Sequence, residues 1–176
     1  MMKRNCMITF KDFKNKRAEL KKNRNQYREL IRSSVNEFIS TYIRSLELPG
    51  ETFQTNDNQN HPYVYVINDD GTWRQSFFNL DVDKVDGAKF DLYTVVDDEP
   101  PLPRPVATRI NVHMMDEKLI YVLLADRQDN NVSVSINGPE DLIKFSELVK
   151  QSIISKIESE PLGKKTPQDD SVKLWD

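Results

Sequence analysis

The sequence contains only one cysteine, two histidines and five glycines among its 176 residues, and it has no long apolar run. Cys6 has no second cysteine with which to form an internal disulfide, so the chain lacks the framework of a disulfide-stapled secreted domain and suits a reducing compartment. No stretch approaches the ~18 apolar residues of a membrane-spanning helix, and no signal-peptide run follows the first residues. We therefore expect a cytoplasmic protein without a membrane partner.

The scarcity of glycine and histidine also argues against common catalytic and metal-binding motifs. No phosphate-binding glycine loop, dinucleotide fingerprint or nucleophile motif occurs, and His61 and His113 belong to no recognised metal spacing. The acidic segment DVDKVDG is not a calcium loop, because Asp86 and Leu92 stand where such a loop requires glycine and glutamate. We predict no catalytic residue, cofactor or metal site, and an enzyme is the less favoured class.

A long helix is predicted near the start of the chain. Thr9 and Asp12 have the spacing of a capping box, so the helix begins at Phe10. Neither glycine nor proline occurs after that until Pro49, so the helix can continue to about Leu46 and reach roughly 55 Å. That length exceeds the diameter of a small domain.

The two halves of this helix differ in their apolar content. The second half presents a broad apolar face at core spacing, made of Tyr27, Ile31, Val35, Phe38, Ile39, Tyr42, Ile43 and Leu46. The first half has only Phe10, Phe13 and Leu20, and Arg17 and Arg24 interrupt the apolar face between them. We therefore expect the first half not to be buried on the core that the second half helps to form.

Alternating apolar and polar residues predict about six strands in the middle of the chain. The segments, in order, are 63–67, 72–80, 88–96, 107–115, 118–125 and 131–136. Short polar connections between them predict an antiparallel meander, and the sequence NDDG predicts a hairpin between the first two. A second helix follows Pro139, and its apolar face is Leu142, Phe145, Val149, Ile153 and Ile157. The predicted fold class is α+β, with an antiparallel sheet, a long N-terminal helix and a C-terminal helix.

These patterns divide the chain into three predicted parts. Residues 1–26 form a basic helical extension, residues 27–159 a single α+β domain, and residues 160–176 a flexible tail without helical or strand periodicity. Residues 1–46 contain twelve Lys or Arg and four Asp or Glu, a net charge of +8. The remaining residues contain thirteen and twenty-four, a net charge of −11. The total of −3 therefore conceals a strongly dipolar chain.

The cationic helix permits three functional interpretations. It is a solvated face or lies against acidic residues of its own chain; it is a contact surface for another protein or a second copy; or it binds nucleic acid phosphates. The candidate contact residues are Lys14, Arg17, Lys21, Lys22, Arg24 and Arg28. We favour a non-enzymatic interaction module, an adaptor, accessory subunit or self-associating protein, with nucleic-acid binding as the alternative. Few aromatic residues lie among the cations, which disfavours a base-stacking surface.

Two further segments are candidate contact sites. The otherwise polar tail ends with Leu174 and Trp175, which we interpret as an anchor that docks on a partner or on the protein's own sheet. Arg109, Asn111 and His113 alternate on one strand and therefore share a sheet face, where they could bind a polar or anionic ligand. A small-ligand site or an enzyme built there is the third functional hypothesis.

Overall fold

The computed structural model describes residues 8–55, 58–68, 73–74, 80–83, 86–99, 103–125 and 130–159. Those residues form two helices and eight strands: α1 Phe10–Ser45, β1 Thr52–Gln54, β2 Asn60–Pro62, β3 Val64–Asn68, β4 Trp73–Arg74, β5 Ala88–Asp97, β6 Arg104–Met115, β7 Lys118–Leu124, β8 Val132–Ile136 and α2 Pro139–Glu158. Strands β3 to β8 form one antiparallel sheet in the order β4-β3-β5-β6-β7-β8. The predicted α+β class is confirmed.

The start of α1 is fixed by the predicted local capping interaction. The backbone N–H of Thr9 donates to Oδ2 of Asp12 at 2.7 Å, and the Thr9 hydroxyl donates to the same oxygen at 2.6 Å. These two hydrogen bonds lower the pKa of the Asp12 carboxyl, the bond from the hydroxyl being the larger cause. The helix ends at Ser45, with Leu46 as its C-cap. Both ends agree with the sequence prediction.

The sheet is a meander from β5 to β8, but β4 departs from that order. The hairpin of β3 and β4 is present, with Val66 opposite Arg74 and Ile67 opposite Trp73. β5 pairs with the other edge of β3, so β4 forms the outer edge of the sheet. The strand predicted over 72–80 does not include Leu80, whose carbonyl accepts a hydrogen bond from Arg32 Nε at 3.1 Å. Residues 75–79 lie outside the described residues.

A separate two-stranded sheet precedes the main one and was not predicted. In β1 and β2, Phe53 lies opposite His61, and both side chains are buried. The Phe53 ring is also 5.2 Å from the ring of Tyr63, centroid to centroid. This small aromatic group buries one end of a segment whose sequence is mostly polar.

Both helices pack against the same face of the sheet and share an aromatic centre. The ring of Phe38 in α1 is 5.5 Å from that of Tyr121 in β7 and 5.2 Å from that of Phe145 in α2, in edge-to-face arrangements. The Tyr121 hydroxyl is 2.8 Å from the hydroxyl of Ser34. The apolar face of α2 is buried as predicted except at its end, where Ile157 is 41% exposed. The second half of α1 is therefore a central part of the core.

Buried tyrosines on this core give a prediction about alkaline pH. Tyr42 is fully buried and its hydroxyl lies 2.9 Å from that of Thr94; burial raises the pKa of Tyr42 from 10.0 to about 12. The Tyr42 phenol ionises at a lower pH in the unfolded chain than in the folded one, so the free energy of unfolding should fall as the pH rises from 10 to 12. For this one group the fall is at most about 1.4 kcal/mol per pH unit. Urea melts of wild type and Tyr42→Phe across that range check this. The variant should lose less stability; equal slopes would contradict the assignment.

Candidate functional site

The N-terminal half of α1, residues 10–28, is the most exposed helical segment that the structure describes. Every residue from Ile8 to Gln26 is exposed, the next two are half-buried, and Ile31 is the first fully buried residue of the helix. With a rise of 1.5 Å per residue, the fully exposed turns extend about 25 Å along the helix axis. The division of the chain into an extension, a domain and a tail stays a prediction.

One face of this half carries large side chains at heptad spacing. We call this set of residues the seam: Phe10, Phe13, Arg17, Leu20, Arg24 and Tyr27. The intervals alternate between three and four residues, which is the spacing of positions a and d in a coiled coil. Phe10, Phe13 and Leu20 are 72%, 63% and 46% exposed. The apolar face that packs on the core thus continues into solvent, where two arginines interrupt it.

Cations lie along both edges of the seam. Lys14, Lys21 and Arg28 each follow a seam residue by four positions, and we call these three residues the flank. In the heptad they occupy position e. Lys16, at position g, lies on the other edge. The Lys14 ammonium nitrogen is 5.0 Å from the centroid of the Phe10 ring, so at least one flank cation covers an exposed aromatic residue.

The acidic residues of this half lie away from the seam. Asp12, Glu19 and Glu29 occupy positions c and f, which point to the opposite side of the helix. Each is already used locally: Asp12 by the cap, Glu19 by Lys16 at 2.9 Å and Glu29 by Arg32 at 3.3 Å. Such exposed pairs contribute little to stability. The acidic residues therefore lie only on the far side of the helix, while the apolar side carries cations and no carboxylate.

The predicted contact cations are not neutralised by carboxylates of the described residues. None of them takes part in an ion pair there: Lys14, Arg17, Lys21, Lys22, Arg24 and Arg28. Five of these six belong to the seam or the flank, and Lys22 lies on the far side of the helix. The structure thus brings most of the predicted set together on one surface.

A shallow groove that sequence reasoning missed lies at the base of the exposed half. It has a volume of about 370 Å³ and is lined on one side by Leu30, Ser33, Ser34 and Glu37 of α1, and on the other by Met114, Glu117, Lys118, Leu119, Ile136 and Asn137. Leu30 is 48% exposed. The helix periodicity could have identified Leu30 as apolar and off the core face. The groove itself depends on the placement of the β6–β7 turn beside the helix.

The structure places Arg109 on the sheet face opposite the helices, where it is paired with an aspartate. Its Nε and Nη2 donate to Oδ1 and Oδ2 of Asp91 at 2.9 and 3.1 Å, because these residues lie directly opposite each other on β5 and β6. An open concavity of about 430 Å³ adjoins this pair and also includes Lys156. The Lys156 ammonium group donates to the carbonyl of Ala107 at 2.6 Å.

Asn111 and His113 share the strand face of Arg109 but lie in a different environment. Asn111 Oδ1 and His113 Nδ1 are buried and have no hydrogen-bond partner in the part of the chain that the structure describes. The same holds for Ser135 Oγ, which the β6–β7–β8 register places on the same face. Neither Asn111 nor His113 is among the described residues that line the concavity beside Arg109. The three predicted residues therefore share a face without sharing a described pocket.

In the acidic segment DVDKVDG, the Asp83 N–H donates to the Gly87 carbonyl at 2.7 Å. Within the described ranges, no cluster of three or more His, Cys, Asp or Glu could hold a metal ion. Leu174 and Trp175, the predicted tail anchor, lie outside the described residues.

Comparisons with known proteins add no relationship. No protein-family model, no curated protein and no solved structure matches this chain significantly. Among the described helices, none has the length and apolar content needed to cross a membrane.

Proposed function

We propose that this chain is a non-enzymatic protein-interaction module whose contact surface is the N-terminal half of α1. One observation carries the proposal: a single continuous helix buries one face in the core from Ile31 onward, whereas every described residue before residue 27 is exposed. Exposing Phe10, Phe13 and Leu20 on one face of that helix leaves apolar area in water that a partner would bury. A helix face that contacts only water would be expected to carry polar residues at those positions.

The helix geometry supports this class of function over a ligand-binding or catalytic one. An open concavity of about 660 Å³ adjoins Phe13, Arg17, Leu20 and Arg24, but its described lining comes from this one helix, which alone cannot enclose a small molecule as binding sites usually do. The seam can instead present anchors at intervals of three and four residues to another protein, which is the helix-in-groove or helix-to-helix mode of recognition. In this proposal the described core serves as the rigid support that holds the helix.

Substitution of two seam residues tests the proposal. Phe13→Glu/Leu20→Glu should abolish recovery of the wild-type binding partners in a quantitative pull-down with the full-length chain, because the two charges would be buried without partners in the complex. The matched control is Ala18→Glu/Gln26→Glu, which adds the same charges at positions b and c of the exposed half, away from the seam. It should recover the same partners as wild type.

Stability measurements separate loss of contact from loss of fold. Both double variants should unfold at the wild-type denaturant midpoint, because every substituted side chain is exposed. If the seam variant and wild type recover the same proteins in the same amounts, the exposed half is not the contact surface and the proposal fails.

A further inference from the structure

We infer that the partner of the exposed half is an acidic amphipathic helix and not a second copy of this chain. This inference rests on the proposed function and specifies the chemistry of its partner. It follows from the heptad positions of the cations, because these side chains are exposed and can pair with charges on another helix. In coiled coils, residues at e and g set the choice of partner and its orientation, and a polar residue at a restricts which chain can pair.

Parallel pairing of two copies would oppose like charges in the interface. Each a residue then packs against its own counterpart, so Arg17 would meet Arg17 and Arg24 would meet Arg24 of the second helix. Position g faces position e of the following heptad, which places Lys16 beside Lys21 of the second copy. Like charges held together in a partly desolvated interface are strongly unfavourable.

Antiparallel pairing of two copies meets the same difficulty on the other edge. In that orientation e residues face e residues, and this chain has a cation at each of them: Lys14, Lys21 and Arg28. No choice of register removes the repulsion, because every e position in the exposed turns is cationic. The acids that could relieve it, Asp12, Glu19 and Glu29, lie on the far side of the helix.

An acidic helix reverses each of these interactions. Apolar residues of the partner at a and d would bury Phe10, Phe13, Leu20 and Tyr27, while Glu or Asp beside them would pair with the flank and with the arginines of the seam. Charge then favours the complex and disfavours the self-paired alternative, which is how natural coiled coils obtain specificity. Nucleic acid would also attract the cations, but it would leave unused the apolar residues that recur at heptad spacing among them.

A pair of synthetic peptides tests this inference with the full-length protein. Both are three-heptad helices with leucine at a and d; one carries glutamate at every e and g position, and the other lysine. Titration of each labelled peptide, followed by fluorescence anisotropy, should show that the acidic peptide binds at least about tenfold more tightly than the basic one. Phe13→Ala/Leu20→Ala should weaken binding of the acidic peptide, because it removes two of the apolar seam contacts.

Charge reversal provides the decisive comparison. Lys14→Glu/Lys21→Glu, which changes the net charge by the same amount as the control below, should reverse the preference, so that the basic peptide binds more tightly. The control Lys11→Glu/Lys22→Glu, on positions b and f, should retain the preference for the acidic peptide. Equal losses in the two variants would show that binding depends on net charge and not on the seam, which contradicts the inference.

Other occupants of the surface give distinct results. The acidic peptide could bind no better than the basic one while the seam variant still loses its pull-down partners. That result would overturn the inference but leave the proposed function intact. Sedimentation equilibrium that showed a seam-dependent dimer would assign the surface to a second copy and overturn it too. Tighter binding of a double-stranded oligonucleotide, steeply weakened by salt and unaffected by Phe13→Ala/Leu20→Ala, would assign the surface to phosphates and contradict both proposals.

Discussion

Replacing Phe38 by alanine is expected to lower the free energy of unfolding by about 3–5 kcal/mol, enough to unfold a marginally stable chain. Phe38 is fully buried, and its ring meets those of Tyr42, Tyr121 and Phe145. These contacts join α1, the sheet and α2, so the cavity left by the ring would lie where both helices meet the sheet. Close packing on every side limits how far the cavity can collapse.

The matched control for this substitution lies in the same helix. Phe13→Ala removes the same atoms from a residue that is 63% exposed, so it should change the free energy of unfolding by less than about 0.5 kcal/mol. Guanidinium melts of the two variants, followed by circular dichroism at 222 nm, measure the difference. A large loss for Phe13→Ala would mean that the exposed half packs on the chain itself, and the interaction proposal would then lose its main support.

The contrast between these phenylalanines also explains what the sequence could predict about α1. The helix start depends on Thr9 and Asp12, which are three residues apart, and such local interactions are visible in sequence. The boundary between its two halves was predicted from Arg17 and Arg24, because a charged residue on an apolar face cannot be buried without a partner. Both features depend only on residues of one helix that lie close together in the sequence.

Features that depend on tertiary placement were beyond the sequence. β1 and β2 have three residues each, too few to show alternation, so the pairing of Phe53 with His61 was not foreseen. The position of β4 at the sheet edge depends on which side of β3 receives β5, and strand composition does not encode that choice. Sequence reasoning thus predicts the class of fold but not the complete strand order.

The candidate sites show the same division. The grouping of five predicted cations on one helix side follows from the 3.6-residue period alone. By contrast, the pairing of Arg109 with Asp91 requires the register between β5 and β6, which shifts by one residue between Val95 and Asp97. Strand alternation could place Arg109 on a sheet face, but it could not show that its guanidinium group is already paired with the carboxylate of Asp91.

Replacing Gly87 by alanine should be nearly as damaging as the loss of Phe38, by a different mechanism. Gly87 has φ of 76°, a conformation that costs a residue with a side chain about 1–2 kcal/mol. A Cβ at this position would lie 2.0 Å from the backbone oxygen of Val112 and 2.8 Å from Cα of His113. Because both atoms belong to the backbone of β6, relief of the clash requires the strand to move, which adds about 1–3 kcal/mol.

Gly50 provides the control. A Cβ at Gly50 would lie 3.5 Å from the backbone oxygen of Thr52, its nearest neighbour, which is an ordinary van der Waals distance. Gly50→Ala should therefore leave stability unchanged or raise it by up to about 1 kcal/mol through a less flexible unfolded state. The free energies of unfolding of the two variants, measured by urea melts, should differ by about 2–6 kcal/mol. Similar midpoints would show that the backbone at Gly87 can shift away from β6. The close approach of Gly87 to that strand would then not be required for stability.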